Sequence, residues 1–139
     1  MFSRFGRGNY KKEAHKMKIK RFEDLDCWKE SRALSKEIYD YARSPLFSKD
    51  FRLAGQITAA AVSIMSNISE GFDSLSNKEF VRFLTYSRRS CSEVQSCLYV
   101  ALDQEYIKEE QFEASYIHCK KIRKIIDGLI RYLKQSKPE

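Results

Sequence analysis

Proline and glycine are scarce in this chain of 139 residues, with two prolines, Pro45 and Pro138, and five glycines. Sandwiches, barrels and long loops need more of both for their turns. With 32% charged residues, the composition favours one small domain of long helices. Long apolar runs are missing too. Nothing approaches the ~18 residues that cross a bilayer, and Met1-Phe2-Ser3-Arg4 leads into charge rather than into a signal-peptide apolar region. The expectation is a cytoplasmic protein with no membrane partner. Histidine is limited to His15 and His118, and the four cysteines show no CxxC spacing. His118 and Cys119 are adjacent and cannot chelate from one helical face, which argues against a metal site. Cys27, Cys91, Cys97 and Cys119 then read as small buried residues with free thiols. No phosphate-cradling glycine loop or paired nucleophile occurs either, so no cofactor and no enzymatic activity are expected.

What the chain does contain is helical periodicity. Four segments repeat apolar residues every three or four positions, over about 24–42, 49–70, 77–103 and 109–134. Leu25, Trp28, Ser31, Leu34, Ile38 and Tyr41 face inward in the first, which Ser44-Pro45 stops. Leu53, Ile57, Ala60, Ile64 and Ile68 form the seam of the second. In the third, Phe80, Leu84, Ser87, Cys91, Val94, Leu98 and Ala101 alternate spacings of four and three. Phe112, Cys119, Ile122, Ile126, Leu129 and Leu133 do so in the fourth. Short connections make successive helices antiparallel neighbours. The fold class is all-α: an antiparallel up-down-up-down four-helix bundle over 22–135 with left-handed packing, preceded by an arm over 1–21.

Around the second connection the signals are specific. Gly55, Ala59, Ala61, Ser63 and Ser66 would let another helix backbone approach a second side of helix two. Gly71 is expected just past the helix end, at positive φ. Ser76-Asn77-Lys78-Glu79 reads as a capping box, with the Ser76 hydroxyl and the Glu79 carboxylate each taking an orphan N–H. Asn67 and Glu70 form a polar pair on the last turn. No nucleophile accompanies them, so they are expected to fix the turn or an intersubunit register, with Glu70 holding a cationic or N–H partner. Trp28 and Tyr39 are expected as core or interface anchors.

Four strings carry a resemblance: Phe22-Glu23-Asp24-Leu25-Asp26-Cys27-Trp28, Leu53-Ala54-Gly55-Gln56-Ile57, Ser63-Ile64-Met65-Ser66-Asn67-Ile68-Ser69-Glu70-Gly71, and Ser76-Asn77-Lys78-Glu79-Phe80 through Leu84. In this order they resemble the bacterial four-helix-bundle proteins encoded in intervening sequences of 23S rRNA genes. The similarity extends over roughly 22–133. The resemblance implies a bundle that assembles as a ring or barrel-like homopentamer with a nucleic-acid-binding role. A structural relative is the accessory variability protein of diversity-generating retroelements, a basic pentamer that works with a reverse transcriptase and RNA.

The charge is unevenly placed. Eight of the 26 cations (Arg4, Arg7, Lys11, Lys12, Lys16, Lys18, Lys20, Arg21) and only Glu13 of the 19 acids lie in residues 1–21, so the arm carries the whole net charge of +7. With Phe2, Phe5, Tyr10, Gly6 and Gly8, the arm reads as flexible and suits single-stranded or structured RNA, and equally a solubilising tail. In an up-down-up-down bundle one pole gathers this arm, Lys78, Arg82 and the run containing Lys120, Lys124 and Arg131. The other gathers Asp40, Asp50, Asp103, Glu105, Glu109, Glu110 and Glu113. Part of that polarity complements helix dipoles. Arg82, Tyr86 and Arg89 share an outward face of helix three with Arg88 beside it, as a phosphate-binding patch or a subunit contact. Two functions follow from these features: an oligomeric, non-enzymatic RNA-binding scaffold, or a protein-interaction adaptor that docks a partner such as a reverse transcriptase.

Overall fold

The computed structural model describes residues 19–135, so Arg4, Arg7, Lys11, Lys12, Lys16 and Lys18 lie outside the described residues, as does most of the expected arm. Four helices account for most of this span: α1 Asp26–Ala42, α2 Phe51–Phe72, α3 Asn77–Asp103 and α4 Glu109–Gln135. Two 3-10 turns, Phe22–Asp24 and Phe47–Lys49, precede α1 and α2, and no strand occurs among the described residues.

The helix ends have local causes. α1 starts at Asp26 because the Phe22–Asp24 turn runs into Leu25, whose backbone is extended. α2 starts at Phe51 because the Asp50 carboxylate accepts the Leu53 N–H at 3.1 Å. Its other end corrects the expectation for Gly71. The helix continues to Phe72, and Gly71 is a helical residue without positive φ. Its missing side chain serves packing instead: a Cβ there would lie 2.8 Å from Phe80 Cδ1 and 2.9 Å from Phe83 Cβ. The Ser76 capping box is half made. Ser76 Oγ accepts the Glu79 N–H at 3.1 Å, while the Glu79 carboxylate turns to Arg82. α3 ends with Glu105 in the left-handed region (φ 62°), with the Tyr106 N–H returning to Ala101 O at 2.8 Å.

The helices pack in chain order and α4 returns to α1. Between α2 and α3, Ser87 Oγ donates to Ile64 O at 2.7 Å, and Ser63 and Ser90 join hydroxyls at 2.9 Å. Between α3 and α4, Arg88 pairs with Asp127, and Tyr99 meets Phe112 with centroids 4.8 Å apart. The core between them fully buries Leu34, Ile38, Phe47, Ile57, Ile64, Phe80, Leu84, Leu98, Ile122 and Ile126, each contributing about 1.5–3 kcal/mol. Phe47 anchors the α1–α2 connection by stacking on Tyr106 at 5.1 Å.

All four cysteines are buried free thiols. Desolvation pushes Cys27 and Cys91 up to about 12 and raises Cys119 further. Trp28 departs from the inward expectation. It is half-buried at the bundle edge, with Phe22 edge-on at 5.3 Å and Arg32 over the ring at 6.0 Å. Tyr39 is 42% exposed and so is not a core anchor. Gly55 is exposed, and a Cβ there would meet nothing within 4 Å, so no second helix among the described residues approaches it.

A polar chain crosses the α1–α4 seam. His118 places Nδ1 2.9 Å from Glu37 Oε2 and Nε2 2.8 Å from Glu30 Oε1. A neutral imidazole has one N–H, so donating to both carboxylates requires the imidazolium. The Glu37 contact, then Glu30, raise the His118 pKa against the opposing effect of burial, and His118 in turn holds Glu30 low. Ser115 Oγ donates to Glu37 Oε1 at 2.9 Å and Lys121 Nζ to Glu30 Oε2 at 3.2 Å. Since its proton goes to Glu37, Ser115 accepts from Tyr41 OH at 2.9 Å.

Candidate nucleic-acid interface

Residues far apart in sequence assemble two ends of the molecule. At one, Asn77 Nδ2 donates to Leu133 O at 3.5 Å, joining the start of α3 to the end of α4. Ile19, Leu25, Ile125, Gly128 and Tyr132 line a groove there between the segment entering α1 and the last turns of α4. Lys20, Arg21, Lys78 and Arg131 are exposed around this end. At the other end, Tyr106 OH donates to Asp50 Oδ2 at 3.0 Å. Asp40 and Glu105 share a cavity of about 590 Å³ with Tyr41, Tyr106 and Lys108.

The predicted cations divide by what their charge already does. Arg21 lies 3.5 Å from Glu23 and 3.9 Å from Asp24. Arg82 donates to Glu79 at 2.7 Å and to Tyr86 OH at 3.1 Å, and Glu79 followed by Tyr86 raises its pKa. Arg88 is committed to Asp127 across the α3–α4 seam. Arg89 differs, sitting over the Tyr86 ring at 5.8 Å with no carboxylate partner among the described residues. Lys20, Lys78, Lys120, Lys124 and Arg131 are exposed and make no ion pair among the described residues.

The polar pair of α2 separates in the structure. Asn67 Nδ2 donates to Ser63 O at 2.9 Å and Ser63 Oγ at 3.0 Å, extending the Ser63–Ser90 contact. Glu70 is exposed and has neither the cationic nor the N–H side-chain partner expected of it among the described residues.

Periodicity missed a further cation. Arg123 lies between α3 and α4, where its Nη1 donates to Ser92 Oγ at 2.9 Å and Gln95 Oε1 at 3.1 Å. Both acceptors are neutral, so its charge is oriented without being cancelled. Gln95 Nε2 continues to Tyr116 O at 3.4 Å. Tyr116 adjoins Tyr99 with centroids 5.6 Å apart, and Tyr99 is 49% exposed. Tyr116 first, then burial and Glu113, raise the Tyr99 pKa above its ordinary value. An arginine spaced three positions from a lysine and seven from a tyrosine was the available signal. The i+7 spacing places Tyr116 and Arg123 on one side of α4. Neutral oxygens on another helix lay beyond a local reading.

No helix among the described residues is long and apolar enough to cross a membrane, and no group of metal-ligating side chains occurs among them. No curated protein matches the chain. Among solved structures it is similar to a protein of unknown function from the S23 ribosomal protein family of Bacteroides thetaiotaomicron. That likeness has a TM-score of 0.69 at 24% identity, over 76% of this chain and 98% of that one, and it supports the four-helix fold. The profile of 23S rRNA-intervening sequence proteins matches residues 23–128, which is most of the chain and spans α1, α2, α3 and α4 as far as Gly128. The chain belongs to the 23S rRNA-intervening sequence protein family.

Proposed function

We propose that this protein is a non-enzymatic, cytoplasmic RNA-binding scaffold whose bundle runs up-down-up-down, with antiparallel neighbours, and assembles as a homopentamer. The observation that carries the RNA reading is the set of cations on α3 and α4 without carboxylate partners among the described residues: Lys78, Arg89, Lys120, Arg123, Lys124 and Arg131. Leaving several open on two adjacent helices creates a field that attracts phosphate, strengthened by the basic residues of 1–21.

The antiparallel reading is supported by the pairing of Ile64 with Ser87 and Gly71 with Phe80, where rising numbers on one helix meet falling numbers on the next. Self-assembly is supported by the outer face of α2, where Phe51 is 84% exposed and Val62 and the open Gly55 follow at helical spacing. The same exposed apolar face favours the second reading, an adaptor that docks a partner protein.

Light-scattering mass, alone and with a pool of structured RNA at low and then high salt, tests the proposal. A mass near five times 16.4 kDa that gains RNA reversibly at low salt is the expected result. A monomer rejects the pentamer, and a particle of any size that ignores RNA rejects the RNA function in favour of the adaptor.

A further inference from the structure

We propose that the α3–α4 surface from Tyr99 to Lys124 is a site for single-stranded RNA, in which Arg123, Lys120 and Lys124 take backbone phosphate and Tyr99 and Tyr116 take an unpaired base. The inference rests on the RNA-binding reading above and assigns that reading a place and a substrate class.

The cationic half is a recess of about 500 Å³ lined by Ile117, Lys120, Lys121, Arg123, Lys124 and Asp127. Its one acid, Asp127, is paired with Arg88, and Lys121 is drawn to Glu30 across the α1–α4 seam. What remains for a ligand is Arg123, Lys120 and Lys124. Arg123 is the oriented member, because Ser92 and Gln95 hold one nitrogen and leave its other N–H groups available. A guanidinium fixed in this way matches the paired oxygens of a phosphate at a smaller entropic cost than a free surface arginine.

The aromatic half adjoins it through Gln95, which accepts from Arg123 and donates to the Tyr116 carbonyl. Tyr116 and Arg123 are seven residues apart on α4, about 10 Å along the helix. Tyr99, Phe112 and Tyr116 support one another with centroids 4.8–5.6 Å apart, so the exposed Tyr99 ring is backed by packing. Every base has a face that stacks on such a ring. In a duplex those faces are covered by neighbouring base pairs and the aromatic half has nothing to bind, which is why the site favours single strands.

The test is fluorescence anisotropy with the full chain, using labelled oligouridine and an RNA duplex of equal length, across a salt series. Oligouridine should bind more tightly than duplex. Tyr99→Leu combined with Tyr116→Leu should weaken oligouridine about 5- to 100-fold and leave the duplex unchanged. Arg123→Gln should make the oligouridine salt slope shallower by about 0.7, and Arg123→Lys should restore it. Tyr99→Leu alone, at a half-exposed ring, provides a folded variant if the double replacement melts early. Equal binding of the two RNAs, or binding indifferent to these replacements, overturns this site and leaves RNA binding elsewhere on the protein. Failure of the unaltered protein to bind either RNA at the lowest salt overturns the RNA function itself.

Discussion

Gly71 and Phe80 touch so closely that no side chain fits between them, a Cβ at Gly71 falling 2.8 Å from Phe80 Cδ1. Phe83 Cβ closes the other side at 2.9 Å, and that atom is fixed to its own backbone and cannot swing away. Gly71→Ala gains about 1 kcal/mol of helix propensity but overpacks the α2–α3 contact by about 1–3 kcal/mol. The expected result is a net loss of about 1 kcal/mol. Gly55→Ala, made in open space on the same helix, should gain about 0.5–1 kcal/mol. Urea unfolding midpoints at equal m-values check the pair, and equal signs would contradict the assigned roles.

The His118 clasp makes stability depend on pH. His118 has its pKa raised from 6.5, so its contribution is fully present below about 6.5 and is lost as pH rises through the folded value. Glu30, lowered from 4.5, contributes above its unfolded pKa and loses that contribution as pH falls through its folded one. On one side the flanking groups are Glu30, Glu37 and Tyr41 of α1; on the other, Ser115 and Lys121 of α4. Because the carboxylates are about one third exposed, the clasp is worth about 1–2 kcal/mol after solvent screening. Thermal melts should therefore show the original protein above His118→Gln at slightly acidic pH, with the gap shrinking toward alkaline pH. A gap that stays constant across this range would show that His118 is not charged in the fold.

Adjacent arginines on α3 should behave differently. Arg88→Gln breaks an ion pair with Asp127 and exposes an acid within the cationic surface, while Arg89→Gln removes a cation that has no carboxylate partner among the described residues. Arg89→Gln should shift the salt slope of RNA binding by about 0.7 with little effect on melting. Arg88→Gln should lower stability by about 0.5–1 kcal/mol, and its RNA effect should vanish in the background of Asp127→Asn. Titrating the single and double variants distinguishes the two arginines.

The helices were legible because apolar periodicity over more than fifteen residues is a redundant signal that single errors do not disturb. Ser76 was legible for a different reason, since a cap acts on the next three residues. Gly71 was misread because glycine near a helix end satisfies two needs, positive φ or close approach, and only the position of Phe80 and Phe83 decides between them. Asp127 and Arg88 lie 39 positions apart and their pairing is invisible in a local pattern. Arg123 was hidden likewise, its distinction residing in Ser92 and Gln95. Asp50 held a double role, capping α2 and receiving Tyr106, of which a local reading offers at most the first.

The polar chain from Tyr41 to Lys121 has one more consequence. Apolar seams are nearly periodic, so sliding α4 along α1 by one turn exchanges one isoleucine or leucine for another and leaves much of the buried area in place. Tyr41, Ser115, Glu37, His118, Glu30 and Lys121 do not repeat, and a shift of about 5 Å would part every one of them from its mate. The seam thus carries an address as well as an adhesive: the greasy residues make the two helices stick, and the charged ones state where.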